Sequence, residues 1–196
     1  MLLADPLPLD GTHVRLEPLA DIHTTDLQDA AREFGDARPW YTSVPDSAAV
    51  EGEIARRQGE HAARRMNPWA VVATASGRAV GMTTFCNIDE RNRRVEIGYT
   101  WLAPSVQRTA VNTEAKLLLL GHAFEGCEAI AVEFRTHWHN RQSRAAIERL
   151  GAKQDGVLRN HSVMPDGTLR DTVVYSILPH EWPAVRAGLR ARLARR

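Results

Sequence analysis

Cysteine is scarce in this chain: 196 residues hold two, Cys86 and Cys127. Each sits in an apolar run, the setting of a buried free thiol in a reducing compartment and not of a disulfide or a metal site. An excess of one charge is missing too. The formal net charge is +1, so no global field favours nucleic acid or an anionic membrane, and neither is expected as a partner. No apolar run approaches the ~18 residues of a membrane span. Asp5, Pro6 and Pro8 interrupt the apolar N-terminus and no basic stretch precedes it, so no signal peptide is expected and the cytoplasm is the default location. The eight histidines are scattered without an HExxH pattern, so no metal is expected. A phosphate loop and a GxGxxG after a strand are lacking, which argues against a nucleotide-binding protein. Repeats, low-complexity tracts and interdomain linkers are not seen.

What remains is a globular profile, with 43% hydrophobic and 25% charged residues, ample for one domain with a buried core. Residues 1–11 read as a loose leader. Thr12–Leu19 alternates as a strand. Helices are expected over Asp21–Phe34, with Asp21 as cap, and over Ser47–Arg65. Between them lies a loop, Ala37–Pro45, carrying Trp40 and Tyr41. Trp69–Thr74 and Arg78–Ile88 read as strands joined at Ser76-Gly77, and the polar turn Asp89–Arg93 leads into a strand over Arg94–Leu102. A helix over Asn112–Glu125, a strand over Ala129–Thr136 and a helix over Asn140–Leu150 follow. Asn140 is the expected N-cap of that last helix and Gly151 its stop. Strands Gln154–Val163 and Leu169–Leu178 flank the turn Pro165-Asp166-Gly167, and Pro179–Arg195 closes the chain as a helix. Residues 184–196 form its basic end, read as a solvated face because Trp182, Val185, Leu189 and Leu193 keep helical spacing. The order β, αα, βββ, α, β, α, β, β, α gives an α/β (α+β) fold with a central mixed sheet flanked by helices.

The stretch Trp101–Glu125 is the most informative. It reads as strand end, polar turn and helix start, and the turn Ser105–Val111 has no acidic side chain. Asn112 or Thr113 is the expected helix cap. A helix start offers about four unpaired N–H groups with partial positive charge, a natural site for phosphate or pyrophosphate. Glu96 lies in the strand feeding that turn. Gly98, two residues on, marks a bulge or a close backbone approach, and a carboxylate beside it can take a proton directly or through water. Alternatively, Glu96 sits on an exposed sheet face. Asn140 and Ser143 begin the helix after the next strand, and parallel neighbours bring both helix starts to one sheet edge. Alone, Asn140 is a cap and Ser143 a solvent-facing hydroxyl. His137 and His139 flank Trp138 and read as pocket-lining or strand-ending residues. Trp40, Tyr41, Trp69, Tyr99 and Trp138 can shape a substrate slot, although any one of them is more often core.

These residues resemble the GNAT (GCN5-related N-acetyltransferase) superfamily, and more narrowly its ribosomal-protein N-terminal acetyltransferase branch. The resemblance rests on Gly11–Leu19, on Val95-Glu-Ile-Gly-Tyr-Thr-Trp-Leu, on Ser105–Glu125, and on Asn140-Arg-Gln-Ser-Arg-Ala-Ala-Ile-Glu-Arg-Leu-Gly-Ala. It spans about Gly11 to Trp182 and makes residues 12–183 the acetyltransferase domain. It implies a mostly antiparallel sheet splayed between the strands at Arg94–Leu102 and Ala129–Thr136, with acetyl-CoA as co-substrate. Pantetheine would pair with backbone at Trp101, Leu102 and Ala103. Pyrophosphate would sit on Gln107, Arg108, Thr109, Ala110, Val111 and Asn112. Asn140 would contact the pantetheine arm, Ser143 would hydrogen-bond the departing thiolate, and Glu96 would assist deprotonation of the amine. The acceptor would be a protein N-terminus or a small-molecule amine, bordered by the Ala37–Pro45 loop and the turns at Asp89–Arg93 and Pro165–Arg170. A homodimer stays open. The turn departs from the family's usual Gln/Arg-x-x-Gly-x-Gly/Ala, with Ala110 and Asn112 at the small-residue positions. That departure is the one support for a non-catalytic acyl-CoA-binding or interaction module.

Overall fold

The computed structural model describes residues 2–35, 40–42 and 44–195. Strands β1 (Leu9–Asp10) and β2 (Val14–Pro18) are followed by helices α1 (Thr24–Arg32) and α2 (Val50–Ala62). A meander of β3 (Met66–Ala73), β4 (Arg78–Asp89) and β5 (Arg94–Leu102) leads to α3 (Ala110–Gly121). Then come β6 (Ala131–His137), α4 (Arg141–Leu150), β7 (Lys153–Val163), β8 (Leu169–Ile177) and α5 (Trp182–Leu193). The strands form one eight-stranded sheet in the order β1-β2-β3-β4-β5-β6-β8-β7. Neighbours are antiparallel except β5 and β6, which run parallel.

Two cores sandwich the sheet. On one face Leu27 of α1 and Ile54 of α2 pack with Val72, Met82 and Trp101. On the other, Leu119 and Leu120 of α3, Ile147 of α4 and Leu189 of α5 pack with Trp69, Phe85 and Ile97. β3 is buried along its whole length, as expected of a strand covered on both faces.

The parallel pairing is short. β5 and β6 are registered only at Arg94–Ala131, Val95–Val132 and Glu96–Glu133. Beyond that point β5 continues to Leu102 and β6 to His137, so a gap opens between them. On its other side β5 carries a bulge. Thr84 pairs with Gly98 and Met82 with Trp101, so Tyr99 and Thr100 together oppose Thr83. Tyr99 has φ of +49°, a left-handed conformation that costs roughly 1–3 kcal/mol for a side chain of this size.

Arg57 of α2 holds that bulge. It is fully buried. Nε donates to Glu53 Oε1 at 2.7 Å, one terminal nitrogen donates to Thr84 Oγ1 at 2.8 Å, and the other donates to the Tyr99 carbonyl at 3.1 Å. The guanidinium also lies 5.6 Å from the Tyr99 ring centroid.

Several sequence expectations are corrected. Residues 2–11 are docked and not loose: Leu3 is buried, Asn67 Nδ2 donates to the Leu3 and Asp5 carbonyls, and Trp69 Nε1 donates to the Leu7 carbonyl. Gly11 makes a close approach in that segment, since a Cβ there would lie 2.6 Å from the Glu114 carboxylate. That carboxylate accepts the N–H groups of Thr12, His13 and Val14. Asp21 is not a cap but the first residue of a 3-10 turn, whose N-cap is Ala20. Helix α3 begins two residues earlier than expected. Its cap is Thr109, whose hydroxyl accepts from the Val111 N–H at 3.3 Å, and neither Asn112 nor Thr113 takes that place.

Arg57→Met should destabilise the chain by about 3 kcal/mol, because it strands a mostly buried Glu53 carboxylate and the Tyr99 carbonyl. Equilibrium urea unfolding measures this. A loss under 1 kcal/mol would mean that the bulge holds itself.

Candidate active site

The gap between β5 and β6 is a cleft of about 560 Å³. Its walls come from both parted strands and from the helices that follow them. From β5 come Gly98, Thr100, Trp101 and Leu102, from α3 Asn112 and Lys116, and from the start of α4 Asn140 and Ser143. Among the described residues, the backbone of β5 beyond Glu96 has β4 on one side and no strand partner on the other. A peptide-like ligand can therefore pair with it as an added strand would.

The first turn of α3 closes one end of the cleft. Pro104–Val106 forms a 3-10 turn and Arg108 takes the left-handed conformation, with φ of +62°. Ala110 is the first helical residue. The turn's need for a left-handed residue falls on position 108, and Ala110 needs no glycine because its conformation is helical. The initial amides of α3 point out of the helix without carbonyl partners in it. Gln107 Nε2 donates to the Leu102 carbonyl at 3.0 Å, tying the turn back to the strand. At the second helix start, Asn140 Oδ1 accepts the Ser143 N–H at 2.9 Å, and Gly151 ends α4 with φ of +102°. Asn140 is therefore both cap and cleft wall.

Glu96 lies behind the floor of the cleft, not among the residues that line it. It is 7% exposed. Burial pushes its carboxyl above the usual carboxylate range, opposed by the hydrogen bond from Asn87 Nδ2 (2.7 Å) and by the charge of Arg135, whose Nε is 3.5 Å away. Gly98 makes room for the carboxylate, since a Cβ there would lie 2.8 Å from Glu96 Oε1.

Lys116 is the cleft residue that sequence reasoning missed most clearly. It is 7% exposed, its Nζ donates to Thr100 Oγ1 at 3.1 Å, and Thr100 Oγ1 in turn meets Thr83 Oγ1 at 2.8 Å. Burial, with no carboxylate to offset it, pushes the ammonium down to about 7. The available signal was its spacing: Lys116 is one helical turn beyond Asn112, on the same face. Arg135 also lines the cleft and carries no sequence signal beyond strand alternation.

Of the remaining expected residues, Ala103 is buried and its N–H donates to the Val80 carbonyl at 2.8 Å. Arg108, Thr109, Ala110 and Val111 form the turn and helix start beside the cleft without lining it. His137 ends β6 and lines the cleft. Trp69 is core, while Tyr41 and Tyr99 are in the wall. Of the loops expected to border the acceptor, Tyr41, Thr42, Val44, Pro165 and Arg170 line the cleft, whereas Asp89–Arg93 does not. Positions 36–39 and 43 of the first loop lie outside the described residues. Both cysteines are buried free thiols. Among the described residues no group of three or more His, Cys, Asp or Glu could hold a metal, and no helix is long and apolar enough to cross a membrane.

Lys116→Met should stabilise the ligand-free chain at pH 7 by a few kcal/mol, since each unit of pKa displacement is worth about 1.4 kcal/mol. The folded-state value, about 7 against an ordinary 10.5, lies below the unfolded one. The penalty of the wild type is therefore complete below pH 7 and fades as pH rises towards the unfolded value. Denaturant unfolding of both chains at several pH values checks it; a pH-independent difference would show that Lys116 is not buried as an unpaired amine.

The family model of the acetyltransferase (GNAT) domain matches residues 13–153. Among curated proteins, "Putative ribosomal N-acetyltransferase YdaF" of Bacillus subtilis (strain 168) is 36% identical over 106 residues, covering 54% of this chain and 57% of that protein. The match thus spans little more than half of that relative's length. A solved GCN5-related N-acetyltransferase from Brucella melitensis is 30% identical, with a TM-score of 0.85 over 96% of this chain and 86% of that one. Mycobacterium smegmatis RimJ, solved in complex with CoA-disulfide, has a TM-score of 0.82 over 98% of this chain and 97% of that one. At 20% identity, that likeness concerns the fold alone. With a splayed sheet of this topology and a family match over most of its length, the chain belongs to the GNAT acetyltransferase family.

Proposed function

We propose that the chain is an acetyl-CoA-dependent N-acetyltransferase that moves an acetyl group to a primary amine, on a protein N-terminus or a small molecule, by direct attack on the thioester. One observation carries the reading: the open edge of β5, the start of α3 and the pair Asn140–Ser143 converge on one cleft, with a buried carboxylate, Glu96, behind its floor. In this reading the pantetheine arm extends along Trp101, Leu102 and Ala103, with Asn140 as a further contact. The diphosphate rests on the segment Gln107–Asn112, where helix-start amides and partial positive charge favour an anion.

The acceptor must lose a proton to attack. An α-amine titrates near ~8 and a lysine amine near ~10.4, so an N-terminal amine needs less help at neutral pH. Glu96 takes that proton through a water, because its carboxylate lies behind the floor and not in the wall. Its raised proton affinity brings it nearer to neutrality, where a general base works best. The amine nitrogen forms a bond to the carbonyl carbon, the tetrahedral intermediate collapses, and the C–S bond breaks. Ser143 hydrogen-bonds the thiolate as it leaves. Holding both reactants in register supplies much of the rate. The alternative of a non-catalytic acyl-CoA module rests on Ala110 and Asn112 at the small-residue positions; both are helical, so neither needs the conformational freedom of glycine, which speaks against that alternative.

The test combines acetyl-CoA titration with thiol release over a panel of N-terminal peptides, polyamines and aminoglycosides. Binding and turnover are expected together; binding without turnover on any amine would favour the module. Glu96→Gln should lower kcat/KM by about 100-fold near and below neutral pH. The deficit should narrow as pH approaches the acceptor's own pKa, because a neutral amine no longer needs the base. A pH profile equal to that of the wild type would remove Glu96 from this role. Ser143→Ala should lower turnover more than it weakens CoA binding, and an equal loss in both would make it a binding residue.

A further inference from the structure

The two faces of the sheet present different chemistry to the cleft. Side chains alternate along a strand. On β6, Phe134 enters the core beneath α3, so Arg135 and His137 project to the opposite face. On β8, Val173 and Tyr175 enter that same core, so Arg170 and Thr172 project with Arg135 and His137; the register pairs His137 with Thr172. Glu96 belongs to this second face, 3.5 Å from Arg135. Since α3 packs on the first face, these cations are set apart from a ligand held at the start of that helix.

The unsatisfied polar groups here are all donors. The His139 N–H donates to His137 Nδ1 at 3.1 Å, which assigns the proton of the neutral ring to Nε2. That Nε2 is buried and has no hydrogen-bond partner among the described residues, and the same is true of Trp101 Nε1, a group that can only donate. Arg170 uses Nε on Thr172 Oγ1 at 2.9 Å, and among the described residues its guanidinium has no carboxylate within 4 Å, the charge of Glu96 acting on it from further off. Among the described side chains that line the cleft, Lys116, Arg135 and Arg170 are basic and none is acidic; Arg135 is paired with Glu133 at 2.9 Å behind the wall, which leaves Arg170 as the guanidinium without a close carboxylate. Buried donors without acceptors are costly unless a ligand supplies oxygen.

We infer that the acceptor amine carries an anionic oxygen group, a carboxylate or a phosphate, which Arg170 and His137 Nε2–H receive while the amine faces Glu96. The inference rests on the proposed transfer reaction and narrows its acceptor. Charge-assisted hydrogen bonds from a guanidinium suit both anions. Polyamines and aminoglycosides bring several positive charges to a site whose one nearby carboxylate, Glu96, is already engaged by the reacting amine and whose described lining side chains include no other, so they are poor acceptors here.

The test uses amines matched in size. β-Alanine is compared with β-alaninamide, and phosphoethanolamine with ethanolamine; spermidine is the polycation. Binding to the full chain in the presence of CoA is read by calorimetry, and transfer is read separately with acetyl-CoA. At least one anionic member should bind about tenfold or more tightly than its neutral partner, and the pair that discriminates tells carboxylate from phosphate. Arg170→Gln should bring that ratio towards one through KM and not kcat, and Arg170→Lys should restore part of it. An unchanged melting temperature and CoA affinity show that the variants are folded. Equal binding within both pairs, tighter binding of spermidine, no measurable binding of either anion, or a ratio unmoved in Arg170→Gln overturns the inference. A chain that binds the anionic probes but transfers no acetyl keeps the inference and defeats the proposed reaction. A chain that acetylates only neutral or cationic amines does the reverse.

Discussion

Hydrogen bonding between β5 and β6 stops after Glu96, although both strands run on, and every feature of the candidate site depends on that interruption. Backbone groups in a sheet are normally paired, and a strand edge left open inside a domain needs another partner. The open edge of β5 is such a place. Each parted strand is followed by a helix whose first turn returns to the opening, α3 after β5 and α4 after β6. Parallel strands direct both helix starts to one end of the sheet. A single interrupted ladder thus gathers a peptide-like edge, two helix N-termini and the side chains beneath them.

Keeping the ladder open has a structural counterpart on the far side of β5. The bulge at Tyr99–Thr100 requires a left-handed tyrosine, and Arg57 from α2 fastens the Tyr99 carbonyl and Thr84 together. The same burial acts on ionisable groups in opposite directions on the two faces: it raises the proton affinity of the Glu96 carboxylate and lowers that of the Lys116 amine. Neither shift favours stability at neutral pH, because each opposes the charged form that water would support. Groups perturbed by desolvation within a cleft are more at home in a working site than in a core optimised for stability. A ligand that replaces the missing water partners relieves both.

Much of this was legible where local chemistry decides the outcome. The bounds of β5 follow from β-branched and aromatic residues between a polar turn and Pro104. Asn140 and Gly151 mark α4 because one side chain can cap and the other residue can turn left-handed. The start of α3 was misplaced because Thr109, Asn112 and Thr113 are all cap-forming types. The choice falls to the 3-10 turn after Pro104 and to the conformation of Arg108, neither of which a cap preference encodes. Arg57 and Lys116 were illegible for a different reason. Their roles depend on what lies across from them: a carbonyl on a bulge for one, a threonine on another strand for the other. Residues 2–11 misled because their anchors, Asn67 and Trp69, are remote in sequence.

The bulge also explains how one strand presents different side chains to the two faces of the sheet. Val95 and Ile97 face the core beneath α3, and strict alternation would keep odd-numbered residues on that face. Instead Leu102 joins that core, while Trp101 and Ala103 join the core beneath α1 and α2. The one extra residue at Tyr99–Thr100 reverses the phase. Without it Leu102 would turn towards α1, and Trp101 would collide with the space occupied by α3. With it, the strand keeps Glu96 and the Trp101 indole on the second face while Thr100 reaches Lys116 on the first. The irregularity at Tyr99 is therefore what lets β5 present an ammonium-bearing helix to one side of the cleft and a carboxylate to the other, in the span of five residues.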